Sequence, residues 1–206
     1  LIPHYMESSQ KSQRESGQFQ GLRTTNGERK INSFALVAYI EGPLGRFLDD
    51  LRRETVPDCV PRAHVTILPP RPVQGSALAA AEQIHNYLKG VHSFEVHASE
   101  VEVFESTSVI YIGLSCGRSE LIRMHDALNA GSLNFNEPHQ YHPHVTLAQG
   151  IRPEQVEPLV ELSKRRWAEY NGPRHFEVDS ITFVQNTLDN RWLDLAEYKL
   201  QAVPVL

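Results

Sequence analysis

Two copies of one tripeptide, His64-Val65-Thr66 and His144-Val145-Thr146, stand eighty residues apart in this chain. Ten histidines and eight threonines among 206 residues supply roughly 0.4 His-x-Thr matches by chance. Here both matches share the middle valine, and both continue with an aliphatic residue, Ile67 or Leu147. The downstream context repeats as well. Phe94-Glu95-Val96 begins thirty residues after His64, and Phe176-Glu177-Val178 begins thirty-two after His144. In each copy the order reads HVT strand, helix, Phe-Glu-Val strand, turn and closing strand. This is an internal duplication of an αβ unit rather than a solenoid, which needs three or more stacked repeats.

Periodicity fills in the rest. The apolar run Ser33–Ile40 has strand length, and Pro43 opens a helix whose Leu44, Phe47, Leu48 and Leu51 share one face. His64–Leu68 predicts a strand, followed by a proline-rich turn and a helix over Ser76–Leu88. Strands follow over 93–104 and Ser108–Cys116, and a helix over Ser119–Leu133 bridges the copies. The second copy predicts a strand from His144, a helix from Pro153 to Tyr170, one strand from His175 to Val184, and a last strand over Arg191–Leu200. Residues 1–32, rich in Ser, Gln, Gly and Arg without period, predict a flexible tail ahead of a single domain over 33–206. The expected class is α+β.

Residues i and i+2 of a strand point to the same side. Each HVT therefore projects an imidazole together with a hydroxyl, while its valine faces the opposite layer. A pseudo-twofold axis can bring both pairs to one cleft, an arrangement that suits a phosphodiester. One neutral imidazole takes a proton from the attacking oxygen, and the other, protonated, gives one to the leaving oxygen. The hydroxyls of Thr66 and Thr146 bond the non-bridging oxygens. The scheme requires no metal or other cofactor.

With these residues the chain resembles the two-histidine (2H) phosphoesterase superfamily, which includes the bacterial 2′-5′ RNA ligase-like proteins and 2′,3′-cyclic phosphodiesterases. That family is defined by two His-x-Thr/Ser motifs about 80 residues apart, and the resemblance covers roughly Ser33 to Leu200. It implies two pseudosymmetric lobes whose antiparallel sheets line a central cleft with helices outside. It also implies catalysis by His64, Thr66, His144 and Thr146 without metal, on a 2′,3′-cyclic phosphate of a nucleotide or RNA end, or on a 2′-5′ linkage. In that scheme His144 is the base and His64 the acid. Many relatives carry an arginine soon after the second motif, where this chain reads Leu147-Ala148-Gln149-Gly150; Arg152 is the substitute at hand.

Tyr141, before the second motif, is a candidate for base stacking, and Arg62 and Arg71 flank the first as candidate phosphate contacts. A competing reading takes His139, His142 and His144 as zinc ligands of a metallohydrolase. A third keeps the cleft as a non-catalytic RNA-end or nucleotide-binding module. His85, His92, His97, His125 and His175 lack partner spacing and are read as surface residues, and Lys164-Arg165-Arg166-Trp167 as a solvated helix face.

Charge bears on the partner. The net charge is −5, yet residues 1–32 carry five Lys/Arg against three acids, so the body is at −7. A long nucleic acid gripped by its phosphates calls for a basic face, so the expected partner is a small cyclic-phosphate nucleotide or an RNA terminus bound by a monomer. No GxxxxGK[ST] or GxGxxG occurs. Two cysteines outside any CxxC pattern, together with no membrane-length apolar run and no leader, fit a reducing cytoplasm and no membrane partner.

Overall fold

Each half of the chain runs through the same succession of elements. The first half is β1 (Lys30–Tyr39), α1 (Gly42–Thr55), β2 (His64–Arg71), α2 (Ala77–Leu88) and β3 (Phe94–Phe104). The second is β4 (Val109–Leu114), α3 (Arg118–Leu128), β5 (His144–Ala148), α4 (Pro153–Glu169), and then β6 (His175–Val178) and β7 (Ser180–Thr187). A last strand, β8 (Trp192–Lys199), closes the fold. These positions come from a computed structural model that describes residues 22–23 and 27–203.

Two four-stranded antiparallel sheets result, in the orders β2-β1-β7-β8 and β5-β4-β3-β6. Each sheet draws on both halves. The last strand of one half crosses over, so β3 pairs with β4 and β7 pairs with β1. The two Phe-Glu-Val segments meet at this exchange and pair with one another: Phe94 lies opposite Val178, Glu95 opposite Glu177 and Val96 opposite Phe176. The single strand expected from His175 to Val184 is broken at Asp179, because the chain there leaves one sheet for the other.

The duplication therefore has different bounds from those drawn on sequence. The two expected closing strands are not equivalent: β4 lies beside β5, whereas β8 forms an outer edge beyond β7. Helix α3 is not a bridge but the counterpart of α1, each preceding its half's HVT strand. It also ends earlier than expected, at Leu128, with a 3-10 turn at Gly131–Leu133. Strand β1 begins at Lys30, three residues before the expected start. Of the expected tail, Leu22 packs on the core and Arg23 donates its backbone N–H to Leu195 (2.8 Å); residues 1–21 and 24–26 lie outside the described residues.

The helices bury one face each. In α1, Leu44, Leu48, Leu51 and Thr55 recur at helical spacing and are buried. Ser76 caps α2 by accepting from the backbone N–H of Ala79 (3.1 Å). Most buried residues of both sheets, from Leu36, Val65 and Ile67 to Ile112, Val145 and Leu147, form one continuous core, and Ala35, Val37 and Val184 form a second small cluster. Among the described residues no helix is long and apolar enough to cross a membrane. A shared core predicts one unfolding transition. Ile67→Ala, at a fully buried position behind the first motif, is expected to lower stability by about 2–5 kcal/mol. Chemical denaturation checks this, and two separate transitions would contradict it.

Candidate active site

Strands β2 and β5 begin with the same burial alternation. His64 and Thr66 are partly exposed while Val65 and Ile67 are buried, and His144, Thr146, Val145 and Leu147 repeat the pattern. With both valines held in the core, each imidazole and hydroxyl is turned to the other face of its sheet. Register supplies the neighbours. His64 lies opposite Tyr39 and Thr66 opposite Val37, while His144 lies opposite Gly113 and Thr146 opposite Tyr111. At Gly113 a Cβ would meet the Glu102 carboxylate and the Ser99 hydroxyl, so a larger residue beside His144 would have to displace those side chains.

Both imidazoles are oriented by the same bond. His64 Nδ1 lies 2.6 Å from the carbonyl of Arg62, and His144 Nδ1 lies 2.7 Å from the carbonyl of His142. A carbonyl only accepts, so each Nδ1 carries the proton. Nε2 is then the lone-pair nitrogen of the neutral ring and the outer N–H of the charged one. Burial holds both rings below the ordinary histidine range. The carbonyl bonds oppose that shift, while the charges of Arg52 and Arg62 depress His64 further and those of His142 and His64 depress His144. Each motif ring thus lies within reach of cationic neighbours, and a proton on His64 is felt at His144.

The surroundings of the two rings differ. Beside His64, the Arg62 guanidinium lies 3.2 Å from the centroid of the Tyr39 ring and 2.7 Å from Asp194 Oδ2, and the Tyr39 hydroxyl donates to Asp194 Oδ1 (2.7 Å). Burial and the Asp194 carboxylate push the Tyr39 phenol well up. A cavity of about 390 Å³ opens beside this trio; it reaches the first motif through Tyr39 and Arg62 but is not lined by either motif histidine. Around His144 the wall is aromatic. Phe104 stacks on Tyr111 at 4.0 Å, and the His144 ring lies 5.0 Å from the first and 5.1 Å from the second, edge to face. His142 joins this group, and burial with the charge of Arg118 pulls its imidazole down.

Of the residues expected from sequence, each HVT pair lies on the face of its strand turned away from its core valine, and Arg62 stands beside His64. Others have different tasks. Arg71 is 2% exposed, and its guanidinium is spent on Pro69, Asn129, Leu133 and Glu137, leaving no donor face for a phosphate. Arg152 stands at the N-cap position of α4, where its exposed guanidinium lies against Gln155 and Glu154. The Tyr141 ring lies flat on His125 (4.0 Å, 2°) and its hydroxyl donates to the carbonyl of Thr66 (2.8 Å), so it is tied into the framework instead of offered to a base. His125 is buried, not a surface residue.

His139 is exposed. Among the described residues no three His, Cys, Asp or Glu side chains are arranged to hold a metal ion, so His139, His142 and His144 do not form the chelate their spacing allowed. Sequence reasoning missed Tyr39, Asp194, Phe104 and Tyr111. Their signal was a polar or aromatic residue at an alternate position of an apolar strand, as Asp194 is within Leu193-Asp194-Leu195.

The sequence profile of the 2′-5′ RNA ligase superfamily matches residues 41–190. Staphylococcus aureus proteins assigned provisionally as phosphoesterases, from strains JH1 and MRSA252 among others, are each 28% identical over 146 residues, covering 68% of this chain and 81% of theirs. The fold is similar to that of E. coli LigT in its apo form (TM-score 0.56, 15% identity, 85% of this chain and 99% of that one). It is also similar to that of a Thermus thermophilus protein (TM-score 0.58, 13% identity, 82% and 98%). E. coli LigT has also been solved with ATP, NADP+ and 3′-AMP.

The paired bonds to Nδ1 fix an expected spectroscopic outcome. In nitrogen-15 NMR of the free protein, neutral His64 and His144 are both Nδ1–H tautomers, and both rings titrate below the ordinary value of 6.5. An Nε2–H tautomer at either ring would contradict the geometry.

Proposed function

The chain belongs to the 2′-5′ RNA ligase superfamily, the two-histidine phosphoesterases, and from that premise we propose that it is a metal-independent phosphodiesterase acting on 2′,3′-cyclic phosphates of nucleotides or RNA ends. The observation that carries this is the shared Nδ1–carbonyl bond, which gives both motif histidines the same reactive Nε2 on the hydroxyl-bearing face of their strands. Such a pair needs one ring neutral and one charged. The neutral Nε2 takes a proton from water as its oxygen bonds to phosphorus, and the charged Nε2–H gives one to the ribose oxygen as the phosphorus–oxygen bond breaks. Among the described residues the hydroxyls of Thr66 and Thr146 engage no other side chain. They donate to the non-bridging oxygens, where charge grows in the transition state. Arg62, pre-oriented on Tyr39 by Asp194, adds a fixed cation beside the first ring.

A body at −7 favours a small ligand over a long polyanion. The ATP, NADP+ and 3′-AMP bound by E. coli LigT belong to the same size class.

The resemblance alone gives His144 the base role and His64 the acid role. Both rings are held down by burial and by neighbouring cations, so the order is a matter for experiment.

His64→Ala and His144→Ala are each expected to lower turnover of a nucleoside 2′,3′-cyclic phosphate about 10²–10⁴-fold; wild-type turnover in both variants would overturn the reading. A 4-nitrophenyl ester, whose leaving group needs no acid, is expected to rescue His64→Ala, and rescue of His144→Ala instead would reverse that order. Because both rings are shifted down, kcat/KM is expected to be bell-shaped with its maximum on the acid side of 6.5. EDTA should leave it unchanged. Inactivation by the chelator would favour metal chemistry, and tight binding of the cyclic nucleotide without turnover would favour a binding module.

A further inference from the structure

The carbonyl of each motif threonine is held by a side chain from the opposite half. The Tyr141 hydroxyl, in the segment leading into β5, donates to Thr66 on β2 (2.8 Å). Arg52 on α1 donates through Nη1 to Thr146 on β5 (3.0 Å), and one turn on, Thr55 Oγ1 donates to Leu147 (2.8 Å). These bonds run between the halves, and they bear on the strand residues that carry the reacting groups.

The Tyr141 side has a further anchor. Its ring lies on His125 at 4.0 Å and 2°. His125 is itself fixed at both nitrogens, with Nδ1 2.9 Å from Asp126 Oδ1 and Nε2 2.9 Å from Glu137 Oε1. The His125 ring is thus held in place under the Tyr141 face. Glu137 receives Arg71 at the same oxygen, and Arg71 belongs to β2. These contacts close a loop from β2 through Glu137, His125 and Tyr141 back to β2 at Thr66.

We propose that Tyr141, seated on His125, and Arg52 are positioning residues that fix the separation of the two HVT strands. Each holds the motif of the half to which it does not belong. None of them touches the reacting atoms; beyond the charge that Arg52 sets near His64, their action is to keep two Nε2 atoms at a spacing that a single phosphorus centre can bridge. Proton transfer depends steeply on such placement, and a shift of about 1 Å can cost 10²-fold in rate. This role rests on the catalytic reading given above, but its test has a readout independent of turnover.

The test uses the full chain with Tyr141→Phe, which keeps the ring on His125 and removes only the hydroxyl, together with Arg52→Met, His125→Asn and the His125→Asn/Tyr141→Phe double variant. Amide hydrogen exchange is followed over residues 65–67 and 145–147, alongside kcat, KM and the thermal midpoint. Tyr141→Phe is expected to speed exchange at 65–67 and Arg52→Met at 145–147. Each should lower kcat about tenfold with KM within about twofold. The double variant should cost no more than its worse single, because both residues act through one contact. Unchanged exchange at 65–67 in Tyr141→Phe overturns the proposal, as does additive loss in the double variant. Faster local exchange in a protein that turns over none of the phosphodiesters supports the positioning role while refuting the catalytic reading.

Discussion

A backbone carbonyl can accept a hydrogen bond but never donate one, and at two places in this fold that asymmetry decides what an imidazole can do. The carbonyls of Arg62 and His142 lie against Nδ1 of His64 and His144, so the opposite nitrogen is left for chemistry in both rings. The arrangement holds because the strands are anchored from behind. Val65 and Val145 are in the core, and a slip of one residue would turn both valines out and both histidines in. Packing, register and tautomer are thus one constraint seen at three levels.

The two halves share that constraint and little else around it. Their last strands are exchanged, so each sheet is completed by the other half, and the Phe-Glu-Val segments pair across the exchange. Where Arg62 precedes the first motif, His142 precedes the second; where Tyr39 faces His64, Gly113 faces His144. One ring therefore sits beside a fixed cation braced by Asp194, the other beside a wall of Phe104 and Tyr111. Chemistry that treats both sides of a phosphate alike is compatible with the shared part. Discrimination between the two ends of a substrate has to come from the part that differs.

The motifs and their strands were legible in the sequence because they depend on local rules: alternation in β2 and β5 and helical spacing in α1. The strand exchange was not, since nothing in a strand's own residues says which sheet it joins. Arg71 and His125 were misread for a related reason. A polar side chain in isolation belongs in water, and only the partner brought by folding, Glu137, which meets both Arg71 and His125, makes burial tolerable. Tyr141 stood close enough to the motif to suggest a ligand contact, but its hydroxyl and ring are both spent within the protein.

The central claim is that one phosphorus centre lies between the rings of His64 and His144. It is tested most directly by titrating nitrogen-15 histidine-labelled protein with a nucleoside 2′-monophosphate and following the two Nε2 resonances. The account predicts that both move along a single saturation curve at one ligand per chain. Movement of only one ring, or two curves saturating independently, would contradict it.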